Sequence, residues 1–241
     1  MSLRSFVTIC ASPRQHVGKT LLARMLIDFH LRSERTVAGF DLNERDAALN
    51  QFHPNHTTCS EIGEIQGQMA LFDALVADNG VHKVVDLGHE AFERFFLVAQ
   101  QIGLGEETRK RKVAAVILYV VSPDAASVEA YAALARLFPQ LTLVPVHNEM
   151  LGSAQHRDKF QPHGDGSQLL HLPLLAPGLR RVIEQRPFSF VETSGPAAPD
   201  VPLDIHIELQ RWMRKLFLEF RELELRVLMA DLKSSIQPRH N

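Results

Sequence analysis

Five short apolar runs punctuate the chain: Phe6–Cys10, Val37–Phe40, Lys83–Leu87, Val113–Val121 and Leu141–Val146. Their apolarity is nearly continuous rather than alternating. That predicts strands covered on both faces, as in a parallel sheet. Between them the pattern changes to that of helices. The first starts at Gly18 and runs to about Leu31, with Leu22, Met25, Leu26 and Phe29 on one face. A second, from about Cys59 to Ala77, carries Ile62, Ile65, Met69, Phe72 and Val76, and Thr58 with Glu61 supplies a capping box. A third covers roughly Glu90–Ile102. A fourth, Ala125–Phe138, follows Ser122-Pro123-Asp124 and stops before Pro139. The alternation predicts an α/β fold, a doubly wound, mostly parallel sheet flanked by helices. Asn43–His56 and Gly152–Gln168 are polar and read as loops. Leu169–Leu175 reads as a last strand and Leu179–Gln185 as a short helix.

Thr193–Asp200, Thr-Ser-Gly-Pro-Ala-Ala-Pro-Asp, has the composition of a hinge or surface linker. Beyond Pro202 a long helical pattern begins. Met213, Phe220 and Val227 recur every seven residues, and Leu209, Leu216, Leu223 and Ala230 interleave with them, a heptad seam over about three repeats. Trp212, Phe217, Leu225 and Leu228 widen that face. The expectation is therefore a domain over 1–192, a linker over 193–201, a helix over 202–233 packed on the same domain, and a tail over 234–241. A partner or dimer helix is the competing reading. A membrane-surface helix fits less well, because the polar face mixes Arg with Glu.

A chain of 241 residues, 45% hydrophobic and 22% charged, suits one large α/β domain. The net charge of −2 gives no global reason to expect nucleic acid or a membrane surface as partner. Arg109-Lys110-Arg111-Lys112 is a dense basic run, best read as a solvated turn with cations near a helix C-terminus. Cys10 and Cys59 are the only cysteines, and Cys10 sits in a buried strand pattern. This suits a reduced, cytoplasmic protein better than a disulfide scaffold. With no apolar leader and no apolar run of about 18 residues, no membrane span is expected. His53, His56 and Cys59 lie close in sequence, but no fourth ligand completes a structural zinc set.

The chemistry concentrates in Ala11–Thr20, which reads Ala-Ser-Pro-Arg-Gln-His-Val-Gly-Lys-Thr between the first strand and the first helix. Strand, loop ending Gly-Lys-Thr, then helix is the layout of a phosphate-binding loop. Its backbone amides face phosphate at a helix N-terminus, its Lys reaches the β/γ-phosphates and its hydroxyl serves Mg²⁺. Two further apolar runs close on acids: Phe40-Asp41-Leu42-Asn43, and Val84-Val85-Asp86-Leu87-Gly88. A strand ending in Asp is what a Walker B position requires, since that carboxylate orders water on Mg²⁺. A polar turn at Asp41 and Asn43, or a helix cap at Asp86, are the plain alternatives. The fifth run leads to His147-Asn148-Glu149, at the strand edge where open α/β sheets bind ligands.

Taken together, these motifs resemble the deviant-Walker-A ATPases of the ParA/MinD family, and among them the conjugal-transfer TraL-type proteins, over residues 5 to about 190. The family loop, Gly-Lys-Gly-Gly-Val-Gly-Lys-Thr/Ser, corresponds to Pro13-Arg14-Gln15-His16-Val17-Gly18-Lys19-Thr20. Its Asp-x-Asp falls on Asp41-Leu42-Asn43, its Walker B segment on Asp86–Phe92, and its Asn-Glu segment near the base on Asn148-Glu149. The resemblance implies ATP and Mg²⁺ as ligands, with Arg14, Gln15, His16, Val17, Gly18 and Lys19 around the phosphates. It also implies Thr20 and Asp86 at the metal, Asp41 and Asn43 at the hydrolytic position, and Asn148 at the base. It implies a homodimer or a protein partner, and a role in plasmid transfer or partition.

The departures set the expected activity. Pro13, Gln15 and His16 replace glycines that would let the backbone approach phosphate. Arg14 replaces the signature Lys but keeps the charge. Asn43 replaces an Asp, and an amide positions water without acting as a base. Binding with slow or absent hydrolysis is the resulting expectation. A non-catalytic P-loop scaffold is the alternative, and a transferase of dethiobiotin-synthetase type, which shares the Val-Gly-Lys-Thr ending, is a third.

Overall fold

The structure, a computed structural model, describes residues 4–152, 157–191 and 202–236. The expected linker over 193–201 and residues 237–241 of the expected tail lie outside the described residues. Among the described residues, seven strands form one sheet: β1 (Phe6–Ala11), β2 (Val37–Asp41), β3 (Thr57–Cys59), β4 (His82–Asp86), β5 (Ala114–Val120), β6 (Thr142–Asn148) and β7 (Leu170–Leu172). The order is β3-β2-β4-β1-β5-β6-β7 and every neighbouring pair is parallel. The central strands are buried from end to end, as their continuous apolarity requires.

Among the described residues, eight α-helices cover the sheet: α1 (Lys19–Arg32), α2 (Ala48–Phe52), α3 (Ile65–Val76), α4 (Phe92–Gln101), α5 (Leu104–Lys110), α6 (Ala125–Leu137), α7 (Pro177–Ile183) and α8 (Leu203–Ile236). Two apolar cores form, one on each face. Alternate residues of β1 divide between them: Phe6 and Cys10 join α1, α2, α7 and α8, whereas Val7, Ile9 and Ala11 join α3 to α6. The chain therefore leaves β1 onto one face through α1, and leaves its neighbour β4 onto the other through α4. Adjacent strands whose connections diverge in this way open a crevice at their carboxyl ends.

Sequence patterning differs from the structure mainly at the sheet edge. Thr57–Cys59, expected to close a loop and open a helix, is the edge strand β3. Gly39 N–H donates to the His56 carbonyl at 2.7 Å beside it, so backbone pairing rather than the capping box claims this stretch. The helix expected from Cys59 begins only at Ile65. Ile62 is buried ahead of it, while Ile65 and Met69 face solvent. Within the polar stretch 43–56, five residues close into α2. The last strand shortens to Leu170–Leu172, and α7 starts earlier than expected, at Pro177, whose fixed φ suits a first helical turn.

α8 continues to Ile236 and lays its seam on its own domain. Leu209, Trp212, Met213, Leu216, Phe220, Leu223 and Val227 are buried with α1 and β7. The Trp212 indole donates to the Pro173 carbonyl at 3.0 Å, Phe29 and Phe220 meet edge-on at 5.6 Å, and Arg35 pairs with Glu224 at 2.7 Å. Leu225, which widened the apolar stripe in the sequence, points outward. Phe220→Ala should therefore cost about 3–5 kcal/mol in chemical denaturation. Leu225→Ala should stay within about 0.5 kcal/mol. Equal losses at the two positions would contradict this packing.

Candidate functional site

Parallel pairing sets the site's register. Cys10 of β1 stands beside Asp86 of β4, and Asp86 stands beside Asp41 of β2. Two carboxylates thus sit on neighbouring strand ends, facing the N-terminus of α1. The loop leading there reaches its helix through Gly18, at φ 100°, a left-handed conformation that favours glycine. A Cβ at Gly18 would lie 2.7 Å from the Asn148 amide, so close packing adds a second reason for glycine here. His16 also takes a positive φ, 57°. Among the described residues, none accepts a hydrogen bond from the backbone amides of Gln15 through Leu21. Seven donors at a helix start are left to face an anion or water.

Lys19 and Thr20 open α1. Lys19 is buried, and its ammonium donates to the Arg14 carbonyl at 2.5 Å, folding back onto the loop. Burial lowers its pKa, against the pull of Asp86. The Thr20 hydroxyl donates to Asp86 Oδ2 at 2.7 Å. Asp86 is fully buried, and its Oδ1 has no hydrogen-bond partner among the described residues. Burial is the main reason its pKa is pushed up to about 7. Asp41 adds to the rise, while Thr20, Lys19 and Asn43 oppose it. A buried hydroxyl–carboxylate pair with one orphaned oxygen is a donor set that suits a hard cation such as Mg²⁺, directly or through water.

Asn43 holds the two acids together. Its side-chain amide donates to Asp41 Oδ1 at 2.7 Å and to Asp86 Oδ2 at 3.1 Å. Asp41 is committed to its own loop, accepting also from the Asn43 amide and, through Oδ2, from the Asn50 amide, both at 3.1 Å. Gly88 permits this approach, since a Cβ there would lie 2.7 Å from the Leu42 carbonyl. Asn148 ties the loop to the end of β6. Its amide donates to the Val17 carbonyl at 2.8 Å and its oxygen accepts from Met150 N at 3.0 Å. It thereby clamps the loop, while its second N–H and its remaining lone pair stay available on the cleft side. Arg14 reaches sideways to Asp124, the residue that caps α6, and that pairing holds the Asp124 carboxyl below the usual range.

Gln15, His16, Gly18, Lys19, Thr20, Asn43 and Asn148 line a cleft of about 950 Å³, with Asp86 buried behind Thr20. Its far wall uses residues that sequence reading passed over. Arg45 pairs with Glu90 at 3.0 Å, and Arg186 approaches Asp46 at 3.4 Å. Arg24, buried on α1, packs its guanidinium 3.5 Å from the Phe52 ring and donates to the Ile183 carbonyl at 2.7 Å. No local motif marks these residues; only their folded proximity to Lys19 does. His53 is buried 3.5 Å from Asp28. Lys110 and Arg111 of the basic run pair with Glu107.

The strand order and the position of this loop give the chain an α/β fold similar to that of P-loop NTPases such as MinD, with a long C-terminal helix. The MinD cell division protein of Aquifex aeolicus is similar to the chain at 14% identity and a TM-score of 0.50, over 87% of this chain and 97% of that one. A chain of the MinC:MinD cell division protein complex of the same organism gives the same score and identity, over 87% and 96%. A nucleotide-binding protein from Archaeoglobus fulgidus, in complex with ADP, overlaps more loosely, with a TM-score of 0.40 at 14% identity over 65% and 71%. No protein-family model matches the chain, and no curated protein matches it.

The buried acid generates a test. Because the folded pKa of Asp86 lies above its ordinary 3.8, the folded state holds a proton that the unfolded chain releases. Stability from this group is full below about pH 4 and is lost as pH rises through about 7. Asp86→Asn should raise the ligand-free Tm at pH 8, leave it nearly unchanged at pH 4, and flatten the slope between. A residual slope from Asp28, also raised to about 6 by burial, should remain. A fall in Tm at pH 8 would show that the carboxylate is stably ionised.

Proposed function

We propose that this protein is a ParA/MinD-like nucleotide-binding switch that takes ATP with Mg²⁺ and hydrolyses it slowly or not at all. The observation that carries the reading is the convergence of seven unpaired amides, the buried Lys19 and the Thr20–Asp86 pair on one crevice. In this reading the amides of Gln15, His16, Val17 and Gly18 cradle the phosphates. Lys19 leaves the Arg14 carbonyl to neutralise the β/γ-phosphates. Thr20 and Asp86 hold Mg²⁺, which when bound supplies charge neutralisation at the phosphate oxygens. Binding a cation would also relieve the burden of a buried acid, because Asp86 would release its proton to solvent and the ion would neutralise the carboxylate in its place.

Slow hydrolysis follows from the groups at the hydrolytic position. Asn43 is an amide bonded to both acids, and Asp41 is occupied by backbone donors. Neither is a free base beside the crevice. Arg14 stands at the edge, where a second copy or another protein would meet it. A homodimer or protein partner is the proposed readout, and the MinC:MinD assembly of a similar fold is consistent with a protein partner. The TraL-type resemblance adds a cytoplasmic role in plasmid transfer or partition. The scaffold reading retains one supporting observation: the ammonium of Lys19 is already satisfied by its own loop.

Thermal denaturation with Mg-ATP and Mg-ADP decides between them. Ligand at 100 times its Kd stabilises by about 2.7 kcal/mol, which is about 5–10 °C for a domain of this size. Lys19→Ala should erase the shift without lowering the ligand-free Tm by a comparable amount. An unchanged wild-type Tm at millimolar nucleotide would end the switch reading and leave the scaffold.

A further inference from the structure

A second cluster lies at the opposite end of α1. His30 is in the last turn of α1, His82 opens β4, and Glu224 comes from α8. One ligand atom from each lies within 4.8 Å of the other two. Both histidines are 2% exposed, and their rings stack at 4.3 Å with 15° between planes. Nδ1 of His30 and both ring nitrogens of His82 are buried with no hydrogen-bond partner among the described residues. Each such orphan costs about 1–3 kcal/mol. Three in one place call for a partner that the protein itself does not supply.

We propose that His30, His82 and Glu224 form a binding site for a zinc-class divalent ion, structurally separate from the phosphate crevice. Two imidazoles and one carboxylate are the donor set of Zn²⁺ and its late first-row neighbours, too rich in nitrogen for Mg²⁺ or Ca²⁺. Three charged groups surround the cluster. Arg35 donates to both oxygens of Glu224 at 2.7 and 2.8 Å. Lys83 turns away to Asn79 at 2.9 Å, and Arg221 lies beside Glu224 on α8.

Binding requires two adjustments. The stacked rings must fan apart by side-chain rotation so that their lone pairs converge, and Glu224 must share or release Arg35. Glu224 and Arg35 are partly exposed, which gives an ion a route in from the α8 side. The bound ion ties together α1, β4 and α8. Lys19 and His30 stand eleven residues apart on one helix, about 16 Å along its axis. The ion would thus fix the far end of the helix that carries the phosphate-binding Lys and Thr.

The test uses the full chain, stripped with a chelator and desalted, then titrated with Zn²⁺ against a chromophoric competitor while Tm is followed in parallel. One equivalent should bind and raise the Tm. His82→Phe, which keeps a ring against Phe6 and His30, should weaken binding by more than about 100-fold, and Glu224→Gln by about tenfold or more. Arg35→Gln should tighten it, because the competing cation is gone; a purely structural role for the cluster would not produce that sign. Asp86→Asn and Cys59→Ser should leave affinity unchanged. Absence of stoichiometric binding would mean that water alone satisfies the rings, and would overturn the site. So would binding that survives both His82→Phe and Glu224→Gln, or that disappears in Asp86→Asn or Cys59→Ser. Circular dichroism identifies any variant that fails to fold, and Glu224→Gln, at a partly exposed position, keeps the test decisive if His82→Phe does.

Discussion

The parallel pairing of β1 with β4 is the constraint on which this molecule turns. It places Asp86 beside Cys10, in reach of the helix that follows β1. The two strands then send their chains to opposite faces, which opens the crevice. Had β2 paired directly with β1, Asp41 would have taken the central position, and the Thr20–Asp86 contact would not form. The register also makes Asp86 fully buried. Its charge is costly there unless something neutralises it. Thr20, Lys19 and Asn43 do so only in part, which is why burial still dominates its protonation. The empty oxygen on Asp86 and the unpaired amides of the loop are two sides of one arrangement: an anion and a cation would satisfy both together.

Much of this was readable from the residues. Strands buried on both faces announce themselves as unbroken apolar runs, and Phe6–Cys10, Lys83–Leu87 and Leu141–Val146 fall within a residue or two of β1, β4 and β6. The α8 seam was equally legible, because a stripe repeating every seven residues must be buried somewhere. The edge strand was not. Thr57–Cys59 is three residues long, two of them threonines, and held by backbone bonds to β2 that no side-chain pattern records. Ile62 misled in the opposite direction: it fits the helical period and is buried, but ahead of α3, so period and capping box put the helix start too early, while Ile65 and Met69 of the same pattern face solvent.

At the site, residue identity was legible and residue partnership was not. Gly-Lys-Thr and the two strand-end acids could be located by spacing. Nothing in spacing shows that Asn148 uses both ends of its amide to hold Val17 and Met150, or that Asn43 bridges two acids. The rewritten start of the loop also looks different once folded. Of the three residues replacing family glycines, only His16 takes a left-handed backbone. His is among the side chains that tolerate it, at a cost on the order of 1 kcal/mol. The loss of glycine is therefore a smaller obstacle than the sequence suggested, and the amides beyond it remain unpaired.

What distinguishes the loop most is where its first cation goes. Arg14 pairs with Asp124, and both side chains are substantially exposed, so water screens the pair and little holds it closed. Asp124 does not need Arg14 in order to act, because its carboxylate also caps α6 by accepting from Ser127 N at 3.0 Å. The guanidinium is therefore free to trade one carboxylate for a phosphate, which accepts the same forked geometry with more charge. Lys19 differs in kind: it is buried, its pKa is lowered, and it is satisfied by a carbonyl that it must leave for a ligand to be held. One cation is positioned inside the crevice and one at its rim. In the proposed switch, that division would separate holding a nucleotide from signalling that it is held.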